Sequence, residues 1–124
     1  MKNYYKSILI ISILTSCNFK EDKLKGTWEL VYKERTELDG RILSTNDFLC
    51  TKHEMDFLDN NKYLSITQCE SQVLKREGEF YIKNDSLYFK SSKGNDNYAL
   101  LILFLSENKI ELRSEKVKSI YAKK

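Results

Sequence analysis

From Trp28 onward, apolar side chains recur at every second position in short runs, and clusters of Asp, Asn and Gly separate the runs. Nothing else in the chain constrains its fold as strongly. Successive Cβ atoms of a strand point to opposite faces, so a period of two marks one buried face and one wetted face. The run Gly26-Thr27-Trp28-Glu29-Leu30-Val31-Tyr32 places Trp28, Leu30 and Tyr32 on one side. Asp39-Gly40 is a tight-turn signal, after which the chain folds back through Arg41 to Leu43. Residues 44–49 are the least regular and have room for one helical turn capped by Ser44 or Thr45. Residues 51–58 and 62–68 flank the turn cluster Asp59-Asn60-Asn61, and residues 74–83 and 86–91 flank Asn84-Asp85. Residues 98–105 and 109–113 flank Glu107-Asn108, and residues 117–121 form a last strand. Eight strands joined mostly by short turns predict an all-β fold. Chains of this pattern become sandwiches or up-and-down barrels, and closure into a barrel removes the exposed edges.

Turn positions set the expected registers. Centring the first hairpin on Asp59-Asn60 puts Met55 opposite Leu64, His53 opposite Ile66, and Cys50 opposite Cys69. An opposed pair brings Cβ atoms within disulfide reach, so Cys50–Cys69 is the expected bridge, contributing roughly 3 kcal/mol. Alternation puts His53, the only histidine, on the face away from both cysteines. A structural zinc wants four ligands, so no metal site is expected. The second hairpin sets Ile82 against Leu87 and Phe80 against Phe89, with Tyr81–Tyr88 and Glu79–Lys90 on the other face. The third sets Leu105 against Ile110 and Leu103 against Leu112. Trp28, Tyr32, Phe57, Phe80 and Phe89 are the large aromatic candidates to contact a ligand inside the barrel.

One strand breaks the alternation. Residues 98–105 are apolar on both faces, so with Leu101, Leu103 and Leu105 inward, Leu100, Ile102 and Phe104 point outward. Either the irregular 44–49 segment, with Phe48 and Leu49, covers them, or they form a patch for a protein partner.

The N-terminal residues bear on location. Lys2 and Lys6 precede the apolar core 7–14, which is far short of the ~20 residues a spanning helix needs. Leu14-Thr15-Ser16-Cys17 follows. A charged start, a short apolar core and small residues before a cut form a signal peptide, here residues 1–16. The four residues resemble the lipobox of bacterial lipoproteins, which implies that Cys17 is acylated and becomes the mature N-terminus. Residues 17–23 then form a lipidated tether, whose Lys20-Glu21-Asp22 resembles an acidic surface-export tag. Residues 24–124 are the domain. Removing Lys2 and Lys6 from the 21 basic residues leaves 19 against 18 acidic ones, no footprint for nucleic acid.

A family resemblance rests on several of these stretches. Lys25-Gly26-Thr27-Trp28 is similar to the Gly-x-Trp opening of lipocalins. Cys50 and Cys69 bracket Asp56-Phe57-Leu58-Asp59-Asn60-Asn61-Lys62-Tyr63, and Gly78-Glu79-Phe80-Tyr81-Ile82 leads to Asp85-Ser86-Leu87. Together they resemble the small lipocalin-like lipoproteins of Gram-negative bacteria. That resemblance implies an eight-stranded antiparallel up-and-down barrel and an outer-membrane anchor through Cys17. The chain departs from lipocalins in that the nine residues after Glu115 cannot supply their C-terminal helix, so the barrel is expected without one. It also implies a tryptophan closing one barrel end under a late basic residue, Arg113 or Lys118. The function expected is binding of a small apolar or amphipathic molecule at the barrel mouth. The alternative is an envelope interaction module, an inhibitor or accessory subunit, with a packed barrel. No Gly-x-Ser-x-Gly elbow or His-Glu-x-x-His motif occurs, so no catalytic residue and no cofactor is expected.

Overall fold

In a computed structural model, which describes residues 19–44, 52–93 and 97–124, the period-two pattern closes on itself. A short helix, α1 (Phe19–Leu24), precedes β1 (Gly26–Thr36), β2 (Ile42–Leu43), β3 (Lys52–Leu58), β4 (Lys62–Cys69) and β5 (Gln72–Lys83). There follow β6 (Ser86–Ser91), β7 (Tyr98–Ser106), β8 (Lys109–Arg113) and β9 (Val117–Lys123). Neighbouring strands pair antiparallel in the order β2-β1-β3-β4-β5-β6-β7-β8-β9, and β1 also pairs with β9. Eight strands therefore form a closed barrel, while the two-residue β2 only extends the far end of β1. The expected eight-stranded antiparallel barrel is the fold observed.

The core lies in the barrel half nearest α1. Trp28, Phe57, Phe80, Leu87, Phe89, Ile110 and Leu112 are buried inside it. The expected pairs Phe80–Phe89, Ile82–Leu87, Tyr81–Tyr88 and Glu79–Lys90 are all present. Phe57 and Phe80 meet edge to face at 4.9 Å, as do Tyr63 and Phe89. Tyr81 and Tyr88 stack on the outer surface with centroids 4.8 Å apart. Gly78 lets β6 cross β5 closely, because a Cβ there would overlap the Lys90 carbonyl.

Residues 19–23, expected as part of the tether, instead join Leu24 in a helix that forms a stopper for this end. Leu24 is fully buried, and its carbonyl accepts a hydrogen bond from Trp28 Nε1 at 2.7 Å. Glu21 is buried too, and its Oε1 accepts from the Ile82 amide at 2.9 Å. Burying one such leucine contributes ~2 kcal/mol, enough to hold a helix too short to persist alone. The cation on the tryptophan is Lys123, with Nζ 5.6 Å from the ring, and not Arg113 or Lys118. Strand pairing explains this: Lys123 lies opposite Trp28, whereas Lys118 lies opposite Glu34 at the other end.

Three local irregularities correct the expected facing of side chains. Asp59, Asn60 and Asn61 all belong to the first turn, and Leu58 pairs with Lys62. Asn60 and Asn61 take left-handed φ of 61° and 56°, which Asn tolerates through its short polar side chain. This three-residue turn puts Met55 opposite Ser65 and Asp56 opposite Leu64, so Met55 and Leu64 look to opposite sides. Tyr63 and Ser65 replace Leu64 and Ile66 on the inner face, with no change in strand order. His53 faces inward opposite Thr67, on the same face as Cys69 rather than the opposite one.

A bulge in β1 provides the second correction. Leu30 pairs with Tyr121 and Tyr32 with Ile120, so Val31 is an extra residue and the alternation inverts beyond it. Tyr32 points outward, donating its hydroxyl to Glu34 Oε2 at 2.7 Å, and Lys33 turns inward opposite Ser119.

The third irregularity is a bulge at Leu105, between the Phe104–Ile110 and Ser106–Lys109 pairs. Ile102 opposes Leu112, so Leu100, Ile102 and Phe104 face the core. Leu101, Leu103 and Leu105 are the exposed ones, at 55%, 55% and 46%. The patch expected at Leu100, Ile102 and Phe104 is therefore interior. The 44–49 segment proposed to cover it lies, beyond Ser44, outside the described residues.

Candidate functional site

Strand direction divides the barrel interior into two chemically distinct halves. Near α1, the inner face carries Trp28, Phe57, Phe80 and Phe89, each at most 2% exposed. These four ligand candidates spend their surface on one another and form a packed apolar floor. The fifth candidate, Tyr32, lies outside the barrel for the reason given above.

Toward the other end the inner face becomes polar. Past the β1 bulge comes Lys33, and His53, Ser65 and Arg76 stand on β3, β4 and β5, with Ser65 directly opposite Arg76. Ser119 and Tyr121 complete the ring from β9. His53 bridges it: Nε2 lies 2.6 Å from Ser65 Oγ and Nδ1 lies 2.6 Å from the Tyr121 hydroxyl. Burial pushes the Tyr121 phenol above its ordinary range, so it keeps its proton and donates to Nδ1. A neutral imidazole has one donor and one acceptor, so Nε2 carries the proton and donates to Ser65.

Burial, helped by the positive charges of Lys33 and Arg76, pulls the His53 pKa down to about 4. Lys33 is itself held below the usual lysine range by burial and by Arg35. Tyr98, half-buried on β7, stacks on Phe89 at 4.8 Å and is hydrogen-bonded to Arg76. Its pKa is pushed up, chiefly by burial, to about 12.

Lys33, His53 and Tyr98 are half-buried and Arg76 is exposed, so this half is reached from solvent where the α1 half is not. Of its residues only His53 stood out in the sequence. Ser119 and Tyr121 carry a readable signal, since Val117, Ser119 and Tyr121 alternate. Lys33 carries none, because the bulge decides which way it points.

Cys69 ends β4 at this mouth, and Cys17 and Cys50 lie outside the described residues. Among the described residues no group of three or more His, Cys, Asp or Glu is arranged to hold a metal. A separate depression of about 560 Å³ lies against the outer surface of β4, β5 and β6. Lys62, Lys75 and Lys90 line it together with Glu77 and Glu79.

The sequence matches no protein-family model and no curated protein. The fold does have solved counterparts. A lipocalin-like protein from Bacteroides uniformis superimposes with a TM-score of 0.61 at 16% identity, covering 82% of this chain and 99% of the other. An uncharacterized protein from Bacteroides eggerthii gives a TM-score of 0.58 at 15% identity, with the same coverage. The closed barrel, its Trp28 end and these superpositions identify the chain as having a lipocalin-like fold.

Proposed function

We propose that this protein is a cell-envelope binding protein that takes a small amphipathic molecule in the solvent-reached half of its barrel. One observation carries the reading: polar and cationic side chains converge above a sealed apolar floor. A barrel of eight strands is wide enough for side chains to fill or for one small ligand. Here packing fills the α1 half, so the ligand is small and sits at the mouth. Lipocalin-like architecture in the Bacteroides uniformis protein agrees with a binding role. Native mass spectrometry of the purified protein tests it. A retained small molecule, lost on His53→Trp, supports the reading, and a barrel without ligand after exposure to envelope extract refutes it.

The attachment belongs to the same proposal. Cys17 carries the acyl chains, residues 1–16 are removed, and the protein is held at the outer membrane with α1 as the link to the barrel. Two or more chains make such attachment stable. Cys50 and Cys69 form the disulfide at the mouth. Cys17→Ser should move the protein from the membrane to the soluble fraction, and unchanged fractionation would refute the anchor.

A second reading has its own observation. Leu101, Leu103 and Leu105 form an exposed apolar ridge on β7, the face opposite to the one expected. Such ridges mark docking sites for protein partners. Cross-linking from residue 103 in the envelope, with and without Leu103→Lys, distinguishes this reading from ligand binding.

A further inference from the structure

The exposed leucines of β7 lead to the place where the N-terminal segment joins the barrel. Lys20 Nζ donates to the Asn84 carbonyl in the β5–β6 turn, and Lys23 Nζ lies 5.5 Å from the centre of the Phe104 ring. The helix α1 therefore spans from that turn to the last residues of β7. Leu105 follows Phe104, and Leu103 and Leu101 continue the outward row over about 13 Å at the rise of a strand. Residue 17 precedes α1 by two positions, and two residues span at most ~7 Å. Acyl chains on Cys17 would thus hold this end of the barrel, rather than the mouth, at the lipid headgroups.

The surroundings of the row suit a lipid surface. On its β6 side Ser86 lies opposite Leu101 and Tyr88 opposite Ala99, both uncharged. On its β8 side Arg113 and Glu111 stand opposite Leu101 and Leu103, and they pair with each other at 3.5 Å. Such a neutralised pair on long stems keeps its polar heads among headgroups while the leucines sink below them. Lys20, Lys83 and Lys109 are exposed around the same end and meet lipid phosphates, with Asp85 and Glu107 the acidic groups of its two turns. Leu58 is also exposed at this end, across the barrel on β3. It has Asp59 beside it in the chain and Lys62 opposite it, so it stands alone among charges. Burial of the β7 row at the acyl boundary removes a contiguous apolar surface from water.

We propose that the outer face of β7 rests on the bilayer through Leu101, Leu103 and Leu105, tilting the barrel onto that side. This rests on the Cys17 anchor proposed above, and it gives the β7 ridge a lipid surface as its occupant in place of a protein.

Electron paramagnetic resonance tests it on the lipidated protein in vesicles of phosphatidylethanolamine and phosphatidylglycerol. Nitroxides attached at Leu103→Cys, Leu105→Cys, Leu58→Cys and Leu38→Cys report access of oxygen, which concentrates in lipid, and of a water-soluble nickel chelate. Leu38, 91% exposed, lies past the far end of β1 and serves as the reference in water. The unsubstituted protein, carried through the same labelling, supplies the background from its own cysteines. Labels at 103 and 105 should gain oxygen access and lose nickel access relative to 38, and the label at 58 should match 38. Adding Leu101→Lys should return nickel access at 103. Equal nickel access at 103 and 38, in protein that floats with the vesicles, would overturn the seat and leave the anchor standing. A label at 58 as deep as the one at 103 would mean an end-on seat and overturn the tilt. Loss of both oxygen and nickel access at 103 would mean that a protein covers the ridge. Failure of the protein to float with the vesicles would overturn anchor and seat together.

Discussion

Acidification from pH 7 to pH 5 should destabilise this barrel by about 2 kcal/mol through one ring, His53. The ordinary histidine pKa is 6.5, and in the fold it is about 4. A base with a depressed folded pKa binds fewer protons folded than unfolded between those two values. Its stabilising contribution is therefore complete above the unfolded pKa and is lost as pH falls toward the folded one. At pH 5 the unfolded ring is almost fully charged and the folded ring is largely neutral, which gives the ~2 kcal/mol; by pH 4 the loss reaches roughly 3 kcal/mol. The structural cause is specific. Protonation makes both ring nitrogens donors, so the Tyr121 hydroxyl now 2.6 Å from Nδ1 loses its acceptor, next to the positive charges of Lys33 and Arg76. Urea unfolding at pH 7, 6 and 5 measures it, followed by fluorescence of Trp28, the only tryptophan and fully buried. His53→Gln keeps a donor and an acceptor but does not titrate, so its stability should fall much less over the same range. Carboxylates titrating near pH 5 affect both proteins alike. A variant whose stability falls as steeply as the wild type would refute the argument.

Other substitutions probe the corrected facing of the strands. Ile102→Lys places a charge in the core and should cost about 3–5 kcal/mol, while Leu103→Lys on the exposed ridge should change stability by less than ~0.5 kcal/mol in urea melts. Equal costs would return the β7 face to the expectation from alternation. Gly78→Ala should destabilise by more than about 2 kcal/mol, since the new methyl meets Lys90 backbone; an unchanged midpoint would show that β6 can move aside. Leu24→Ala should cost about 2–4 kcal/mol and expose Trp28 to acrylamide quenching, and an unquenched Trp28 would mean that α1 is not the stopper. Ellman's reagent on the urea-unfolded, unreduced protein should find no thiol from Cys50 or Cys69, and free thiols there would exclude the bridge.

How far the chain could be read without coordinates depended on the kind of signal. The second hairpin was legible to the residue, because Asn84-Asp85 is a two-residue turn and fixes Phe80 against Phe89. The first was misread by one position. Asp59-Asn60-Asn61 admits a two- or a three-residue turn, and a one-residue slip moves every side chain to the other face. Two bulges had the same effect in β1 and β7. Their energetic reason lies in neighbouring strands: with Leu105 looped out, Ile102 and Phe104 enter the core against Leu112 and Ile110. The floor aromatics were legible as barrel-interior residues, but their packing against one another was not, because alternation says which way a side chain points and not what fills the space before it.

Period-two alternation and turn chemistry, which are local properties, determined that this chain forms antiparallel strands in sequence order with Trp28 at one end. Closure decided the rest. Only when β1 met β9 did Val31 loop out, Lys33 turn inward and His53 gain Tyr121 as a partner. These are contacts between residues far apart in the chain, and no local pattern encodes which of two faces such a distant neighbour will select.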